Sequence, residues 1–453
     1  MNRKLRLAFF SPFRPQKSGI ADYSEELLPH LAELAEIDLI TGPYRVANEA
    51  LREFRVRPVT EFLSDHTLYD AAIYQVGNNL HHHGYMAPCM ASVPGILVLH
   101  DYCLQYLTLG LTLREGRFRA LVDALRPAHG RRARWIAAKL LCNATDPDRL
   151  SFAGPFIAQS KAVIVHSHFA RDLVRKDAPG KPVRVIPMGV PDGDAATPAA
   201  ELRARYGLSP EDFVLASIST LSSAKRLGLV LEALRDLKQD LPRLKYLVAG
   251  GGNLGDDARQ LIRELALAEN VVLTGWVSNE DYRGLIALAD AIVDLRYPSG
   301  AETSASLTRA IAVGKPLILS EQGSFLEIPA DFSLKIPIGS ERTLLREAVL
   351  RLAGDRELRA AMARCSRAYF LENLQLPQAA RSYAAFAEEV AALPPSAGAA
   401  ADWMGPVPGL SRLLVSSIYK ASRVGYLFRR YGWKDTMRRI REEVRATAKP
   451  ETA

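Results

Sequence analysis

A single acid, Glu302, stands among small residues where a strand, a turn and a helix meet. The apolar run Ala291–Leu295 predicts a short buried strand, and the Pro-Ser-Gly sequence at 298–300 predicts a tight turn after it. Glu302 then precedes Thr303 and Ser304 at the start of a predicted helix. Backbone N–H groups there can hold phosphate or hydroxyl oxygens, while the carboxylate accepts from a sugar hydroxyl. The alternative, that Glu302 only caps its own helix, stays open.

Two cations, Lys225 and Arg226, follow the predicted strand Phe213–Ile218 and precede the predicted helix Leu227–Asp240. Positive charge at a helix N-terminus opposes the helix dipole. The pattern therefore indicates an anion between these two side chains. The competing interpretation is an ordinary exposed helix start.

Three further strand ends carry residues that suit a ligand. Gly19 follows the first predicted strand and lets backbone approach a ligand closely, or serves only a tight turn. His100 follows the predicted strand Ile96–Leu99, where it could also simply bond backbone in a packed loop. Gly250 and Gly251 follow Lys245–Ala249. Since ligands of parallel sheets bind outside the carboxyl ends of strands, the set predicts a site for a nucleoside diphosphate with an attached sugar.

Two motifs are weaker than they look. The run Gly250–Gly255 formally satisfies G-x-G-x-x-G, but the next predicted strand, Val271–Thr274, is not followed by an acid that could hold an adenosine ribose. NAD binding is therefore not expected. The three histidines 81–83 resemble a metal tract, yet adjacent side chains cannot all face one ion, so no metal is expected there.

Strand-like and helical runs alternate along the chain, which predicts an α/β fold of two tandem Rossmann-like domains facing an interdomain cleft, with a basic helical C-terminal tail. We expect domains at 1–190 and 191–376, a closing helix at 377–393 and a tail at 394–453. The further predicted strands are Leu5–Phe10, Ile37–Ile40, Ala71–Gln75, Ala162–Val165, Val183–Ile186 and Pro316–Leu319. The further predicted helices are Asp22–Glu36, Arg114–Arg149, Asp256–Leu267, Glu280–Ala289, Glu341–Ala353, Arg356–Leu371 and Pro377–Ala392.

Composition excludes several classes of protein. The chain has 453 residues, 48% of them apolar, with no apolar run near the length of a membrane span. Its four cysteines form no CxxC pair, which argues against a zinc site or a disulfide framework and fits a reducing cytoplasm. The N-terminal stretch is predicted to be a first strand rather than a signal peptide.

Positive charge is concentrated in the tail. The net charge is +8, and from Ala401 onward eleven basic residues face five acids, leaving +6 there and +2 elsewhere. The residues before Ala401 thus lack the excess positive charge that is typical of nucleic-acid-binding proteins. Tail residues Leu414 and Ile418 recur at helical spacing, with Arg412 and Ser416 on another face. This predicts contact with an anionic membrane surface or, alternatively, a helix packed back onto the first domain.

Taken together, residues 5–390 resemble the retaining GT-B glycosyltransferases of the bacterial group 1 (family 4-like) type. The resemblance rests on SPFRPQKSGIADYSEELLPHL, on FVLASISTLSSAKRLGLVLEAL and most specifically on the segment from LVAGGGN to AVGKPLILSE. It implies that Gly19 backbone approaches the donor phosphates and that Lys225, assisted by Arg226, neutralises them. His100 would contact the donor sugar or lend its carbonyl. Glu302 would bond sugar hydroxyls, and Thr303 and Ser304 would bind the donor phosphates. The residues beside the nucleotide would be Gly250, Gly251, Gly275 and Val277.

Two departures from the family pattern concern the ribose and the phosphates. The family has a second glutamate eight positions after the first, where this chain has Ala310, and its phosphate-binding arginine corresponds to Thr220. Ribose recognition must therefore differ, and Lys225 and Arg226 would carry the phosphate charge alone.

The resemblance implies a cytoplasmic enzyme, for which a peripheral position on the inner face of the membrane is a further expectation. It would transfer a hexose from a nucleotide-sugar to a glycan or lipid-linked acceptor in cell-surface polysaccharide synthesis, without metal or cofactor. The alternatives are a non-catalytic nucleotide-sugar-binding subunit and a two-domain sugar-nucleotide epimerase.

Overall fold

The computed structural model describes residues 3–147, 150–192, 197–219, 222–251, 255–394 and 408–448. The chain divides into two compact units. The first unit holds Met1–His166, Ala170–Ile186 and Arg381–Ala453, and the second holds Ser167–Phe169 and Pro187–Ala380. Each unit is built on one parallel sheet covered by helices, so that the chain has two Rossmann-like domains, as predicted.

The first unit has a seven-stranded sheet in the order β3-β2-β1-β4-β5-β6-β7, with every pair parallel. The strands are β1 (Leu5–Phe10), β2 (Ala35–Thr41), β3 (Arg55–Pro58), β4 (Ala71–Val76), β5 (Ile96–Leu99), β6 (Ala162–Val165) and β7 (Val183–Val185). The central strands β1, β4, β5 and β6 are almost wholly buried, as expected for a sheet with helices on both faces.

Helices follow most of these strands. They are α1 (Gly19–Ala32), α2 (Val59–Asp65), α3 (Leu80–His83), α4 (Met86–Ser92), α5 (Gln105–Leu111), α6 (Phe118–His129), α7 (Ala133–Leu141), α8 (Gly154–Gln159) and α9 (His168–Asp177). The single long helix expected over 114–149 is divided, because Gly130 has a φ of +52° and ends α6. Residues 148 and 149 lie outside the described residues.

The second unit has a six-stranded parallel sheet in the order β10-β9-β8-β11-β12-β13. Its strands are β8 (Phe213–Ile218), β9 (Leu244–Ala249), β10 (Val271–Gly275), β11 (Ala291–Asp294), β12 (Leu317–Ser320) and β13 (Ser333–Ile336). Its helices are α10 (Ala199–Arg205), α11 (Leu227–Leu237), α12 (Gly255–Glu264), α13 (Asn279–Leu288), α14 (Ala305–Val313), α15 (Glu341–Gly354) and α16 (Arg356–Asn373). Helix α17 (Leu376–Ala391) begins in this unit and ends in the first, to which α18 (Gly409–Ala448) also belongs.

All eleven strands expected from the sequence are present, but β3 and β13 were missed. Both are four-residue strands at the edge of their sheets, and each carries a charged residue that breaks the apolar signal. Among the described helices, none is long and apolar enough to cross a membrane.

Candidate functional site

The strand order of the second unit changes direction between β8 and β11, where the chain first runs to one side of β8 and later to the other. Parallel sheets bind ligands at such switch points, outside the carboxyl ends of the strands. Four charged side chains gather there: Lys225, Asp294, Arg296 and Glu302. We call them the charge network.

Short hydrogen bonds between opposite charges connect the four side chains of the charge network. Lys225 Nζ donates to Asp294 Oδ2 over 2.8 Å, and Arg296 Nη2 reaches the same oxygen at 3.2 Å. Arg296 Nη1 donates to Glu302 Oε1 over 2.5 Å. The Asp294 and Arg296 side chains are less than a tenth exposed. The buried guanidinium of Arg296 therefore binds the carboxylates of both Asp294 and Glu302.

The charges in this network control each other's ionisation. Burial opposes the charged form of Asp294, but Arg296 and Lys225 outweigh it and hold the pKa of Asp294 below its usual value. Burial lowers the pKa of Lys225, and Arg296 adds to that effect, whereas Asp294 opposes it. Asp294 is consequently a carboxylate at neutral pH. A small cavity of about 20 Å³ beside Lys225 and Asp294, lined also by Ser217 and Ser219, has room for about one water molecule.

Glu302 uses only one of its carboxylate oxygens within the protein. Oε1 binds Arg296, while Oε2 is buried and has no hydrogen-bond partner among the residues that the structure describes. We call Oε2 the open oxygen. The backbone carbonyl of Glu302 accepts from Ser324 Oγ at 3.0 Å, which fixes the segment that carries it. A buried acceptor of this kind is costly to leave unsatisfied, and it suits a hydroxyl donor from a ligand.

Glu302 does not cap the helix that follows it. The N-cap of α14 is Ser304, whose side chain makes no capping hydrogen bond, and its hydroxyl instead accepts from Arg296 at 3.4 Å. Thr303 lies between Glu302 and this N-cap and is partly exposed. The capping alternative is therefore wrong for Glu302, and the start of α14 keeps its backbone donors directed beyond the helix end.

The anion that the sequence indicates near Lys225 and Arg226 comes from the protein itself. Lys225 is paired with Asp294, and Arg226 is paired with Glu341. Arg226 has a left-handed backbone, with φ +52°, at the N-cap of α11. Both cations thus have carboxylate partners within the protein. Thr220, which stands at the family's arginine position, lies outside the described residues.

The predicted nucleotide residues come together at the ends of β9 and β10. Gly250 N donates to the Gly275 carbonyl at 2.9 Å, and a Cβ added at Gly251 would contact the Trp276 ring at 3.6 Å. Trp276 is 67% exposed, while Val277 packs partly against the core. The sequence prediction included this segment but gave no role to the indole. Residues 252–254 of the glycine motif lie outside the described residues.

The first unit has a different group at its own strand ends: three buried histidines, His83, His100 and His166, which we call the imidazole cluster. His100 Nε2 lies 2.7 Å from Gln75 Oε1, and His83 Nδ1 lies 3.0 Å from the Gln75 carbonyl. The His100 and His166 rings are 4.8 Å apart between centroids, and the Tyr23 ring is 5.6 Å from each. His100 thus bonds a side chain rather than loop backbone.

Burial keeps these imidazoles neutral. It lowers the pKa of His83 to about 3 and that of His166 to about 4, and it lowers the pKa of His100 well below its usual value, helped by the two neighbouring histidines. Nδ1 of His100 and Nε2 of His166 are buried and make no hydrogen bond to any described residue. The sequence prediction found His100, but treated His83 only as part of a metal tract and did not consider His166.

Gly19 is the first residue of α1, and the Ser18 hydroxyl accepts from Ile20 N at 3.2 Å. A Cβ added at Gly19 would meet nothing within 4 Å, so the space above the helix start is open. The loop before it is anchored by Glu25, which accepts from Arg14 N at 2.7 Å. Nothing within the described part of the chain groups three or more His, Cys, Asp or Glu side chains as a metal site.

Comparison with known proteins agrees with this geometry. Residues 199–368 match the family model described as glycosyl transferases group 1. The chain is 24% identical, over 80% of its length and 93% of the relative, to the GDP-mannose-dependent alpha-(1-6)-phosphatidylinositol monomannoside mannosyltransferase of Mycolicibacterium smegmatis. It is 27% identical to the alpha-D-kanosaminyltransferase of Streptomyces kanamyceticus over 46% of this chain, a match that spans 55% of that relative.

Solved structures share the fold. The HepE protein of Anabaena, crystallised with UDP, superimposes with a TM-score of 0.58 at 17% identity, covering 85% of this chain and all of that one. Sucrose-phosphate synthase from Thermosynechococcus elongatus gives a TM-score of 0.60 at 15% identity, covering 85% of this chain and 99% of that one. At these identities the likeness establishes the GT-B fold class.

Proposed function

This chain is a group 1 glycosyl transferase through residues 199–368, and on that premise we propose that it transfers a hexose from a nucleotide-sugar to a hydroxyl of a glycan or lipid-linked acceptor. We further propose that the transfer retains the anomeric configuration and serves the synthesis of a cell-surface polysaccharide. The single observation that carries the proposal is Glu302: one oxygen is fixed by Arg296, and the open oxygen is buried without a partner among the described residues.

Glu302 would hold the donor sugar. Because Arg296 fixes Oε1, the carboxylate of Glu302 cannot rotate freely. The open oxygen is therefore preoriented toward an incoming hydroxyl. The backbone donors at Thr303 and Ser304, at the start of α14, would bind the donor phosphates next to it. A residue that holds the sugar as charge develops during bond cleavage is worth roughly a factor of 10² to 10³ in rate.

Lys225 would neutralise the leaving diphosphate by exchanging partners. In the structure Asp294 Oδ2 lies 2.8 Å from the ammonium nitrogen of Lys225. A diphosphate brings more negative charge than one carboxylate, so Lys225 can turn toward it while Arg296 keeps Asp294 neutralised. Arg226, paired with Glu341 at the N-cap of α11, would assist in the same way. Gly19, at the open start of α1, would let backbone approach the phosphates.

The nucleotide would lie against the ends of β9 and β10, beside Gly250, Gly251, Gly275 and Val277. The exposed indole of Trp276, next to Gly251, offers a flat surface on which a base can stack. Such stacking is worth roughly 1–3 kcal/mol. The nucleotide-sugar is a substrate, and we propose that no metal or other cofactor takes part, because Lys225, Arg226 and helix N–H groups supply the positive charge that the diphosphate needs.

His100 would act from the first unit, where its neutral imidazole can accept or donate a hydrogen bond but carries no charge at neutral pH. We propose that it contacts the donor sugar or lends its backbone carbonyl. The Tyr23 and Gln75 contacts hold its ring in one orientation.

Two measurements on the full chain test this proposal. Thermal melting with a panel of nucleoside diphosphates, with and without EDTA, should show stabilisation that EDTA does not remove. Release of nucleoside diphosphate from the matching nucleotide-sugar should be seen for the wild type and fall about 10²-fold or more in Glu302→Ala. Loss of the stabilisation with EDTA would contradict metal independence. Turnover by Glu302→Ala near that of the wild type would contradict the role of Glu302.

One observation favours a non-catalytic nucleotide-sugar-binding subunit as the second candidate. Ala310, at the family's second acidic position, is fully buried, and the cations of the site are already paired with carboxylates. A binding subunit would show the same thermal stabilisation but no release of nucleoside diphosphate with any acceptor extract. An epimerase would instead exchange sugar epimers without a net release.

A further inference from the structure

Helix α18 packs on the first unit and makes polar contacts with it. Arg412 pairs with Glu115, and Ser416 Oγ donates to the Arg114 carbonyl at 2.9 Å. Further along, Ser422 Oγ donates to the Leu141 carbonyl at 2.7 Å. Arg412, Ser416 and Ser422 therefore hold α18 against the first unit at two places along its length.

The contact is close and specific. A Cβ added at Gly116 would lie 2.2 Å from the Arg412 carbonyl oxygen, so the helix backbone approaches this loop as nearly as a glycine permits. Tyr419 is 4% exposed, and Asn143 Nδ2 donates to Ser422 Oγ at 2.7 Å. The expectation that the tail helix packs back onto the first domain is met by these residues, through polar contacts and the buried Tyr419.

Three apolar residues near the start of the same helix are exposed to solvent. Leu413 is 68% exposed, Leu414 is 61% exposed and Ile418 is 39% exposed. On α7, which contacts α18, Trp135 is 61% exposed, and Lys139 Nζ lies 3.7 Å from its ring centroid. Helices that dock on a globular domain normally bury their apolar stripe. Helix α7 buries most of its apolar residues. The exposed leucines and isoleucine of α18, together with Trp135 of α7, nevertheless mark a surface that can meet a further partner.

The net charge of residues 114–143 and 409–448 indicates the chemistry of that partner. Residues 114–143 carry eight basic and two acidic residues, and residues 409–448 carry ten basic and three acidic residues, for net charges of +6 and +7. Since the whole chain is +8, the remainder carries −5. The exposed cations in the described side chains of these segments are Arg119, Arg126, Arg131, Arg132, Arg134, Arg412, Lys420 and Arg429.

We propose that α7 and α18 form a docking surface for an anionic lipid bilayer. Exposed leucines, an isoleucine and a tryptophan would enter the interface between headgroups and acyl chains, while the surrounding arginines and lysines bind lipid phosphates. The combination supplies the two signals that stable peripheral binding requires, apolar insertion and a polybasic surface. Each cation near an anionic surface strengthens binding about fivefold at modest salt. The surface is distinct from the charge network and does not depend on the transfer reaction.

The test is flotation of the full-length protein with vesicles of phosphatidylcholine alone or with one third phosphatidylglycerol. We expect binding to the anionic vesicles only, and release at about 0.5 M salt, where charges are strongly screened. Leu413→Ser/Leu414→Ser and, separately, Arg131→Glu/Arg132→Glu should each weaken binding about tenfold or more. The substituted residues are exposed, and unchanged melting temperatures will confirm that the variants fold.

Matched controls lie on α16 of the second unit. Leu371 is 47% exposed, and Arg356 and Arg364 are exposed, so Leu371→Ser and Arg356→Glu/Arg364→Glu change the same chemistry elsewhere. These controls should bind vesicles like the wild type. The proposal is overturned if the wild type fails to float with anionic vesicles or if the α7 and α18 variants float unchanged. It is also overturned if light scattering shows a dimer that Leu413→Ser/Leu414→Ser abolishes while vesicle binding is absent.

Discussion

The two units place opposite kinds of chemistry at the ends of equivalent parallel sheets. In the first unit the imidazole cluster is buried and uncharged, because burial lowers the pKa of each histidine. In the second unit the charge network keeps its carboxylate ionised, because Arg296 and Lys225 lower the pKa of Asp294 despite its burial. The imidazole cluster is thus kept uncharged, whereas the charge network pairs its carboxylates with cations.

The difference separates what each cluster can do. Neutral imidazoles present hydrogen-bonding atoms of fixed direction and attract no diphosphate, so the first unit is suited to hydroxyl groups. A network of paired charges can change partners at little cost when a ligand brings new charge, so the second unit is suited to a nucleotide-sugar. Only the first should respond strongly to mild acid.

The largest expected effect is therefore a loss of stability in the first unit as pH falls from 7 to 5. The unfolded histidines titrate near pH 6.5, whereas the folded pKa of His166 is about 4 and that of His83 about 3. These histidines do not reduce the folding stability above pH 6.5. Below that value the stability falls as pH approaches 4, since the unfolded state takes up more protons than the folded state. The loss is roughly 1–2 kcal/mol for each imidazole. Glu25, whose pKa burial raises, offsets a small part of it.

Hydrogen exchange resolved by peptide checks this prediction within one sample. Peptides from β4, β5 and β6 should lose protection between pH 7 and 5 beyond the intrinsic change in exchange rate. Peptides from β8 and β11 should not, because the stabilisation linked to Asp294 is lost only below its unfolded pKa of about 4. His166→Asn should flatten the dependence in the first unit. An equal loss of protection in both units would break the comparison.

The next effect is the removal of the central cation of the charge network. Arg296→Met leaves Asp294 and Glu302 without their shared guanidinium, and breaking a buried ion group in this way costs roughly 3–5 kcal/mol. Turnover should also fall about 10²-fold or more, because Glu302 loses its orientation. Denaturant unfolding and release of nucleoside diphosphate measure the two effects.

A double-variant cycle distinguishes positioning from a general loss of stability. Arg296→Met combined with Glu302→Gln should lower turnover little more than either change alone, since both remove the same oriented carboxylate. The control Arg356→Met, at an exposed position, should change stability by less than about 0.5 kcal/mol. Fully additive losses in turnover would show that Arg296 acts independently of Glu302.

The smallest effect compares one buried tyrosine hydroxyl in each unit. Tyr23 OH donates to Tyr383 OH at 3.3 Å, and Tyr246 OH donates to Ser217 Oγ at 2.8 Å. Tyr383→Phe and Tyr246→Phe each keep the ring and remove the hydroxyl from the hydrogen bond given above, so each should cost about 1 kcal/mol of unfolding free energy. A cost for Tyr383→Phe several times that of Tyr246→Phe would show that the imidazole cluster depends on a wider polar network than the contacts described above.

Sequence reasoning found the elements whose signal is local. Central strands such as Ile96–Leu99 and Ala162–Val165 are continuous apolar runs, and their bounds were predicted without error. Glu302 and Lys225 were found because a charge next to a strand end stands out. The edge strands β3 and β13 were missed because pairing with the neighbouring strand defines them, and their own residues give no clear strand pattern.

The missing parts of the site depend on partners far away in sequence. Asp294 was included in an apolar run and Arg296 was given no role, although together they bind Lys225 and Glu302. His166 gives no signal alone, because only the fold places its ring against His100. Which cation a carboxylate binds is decided by tertiary packing, and spacing along the chain does not encode it.

The central claim is that the open oxygen of Glu302 accepts a hydrogen bond from the donor sugar. The most direct measurement is calorimetric affinity of the wild type and Glu302→Gln for the active nucleotide-sugar and for its nucleoside diphosphate. We predict that Glu302→Gln binds the diphosphate as the wild type does, but binds the nucleotide-sugar about tenfold or more weakly, as expected for loss of a hydrogen bond to a charged acceptor. Unchanged affinity for the nucleotide-sugar, or equal losses for both ligands, would contradict the claim.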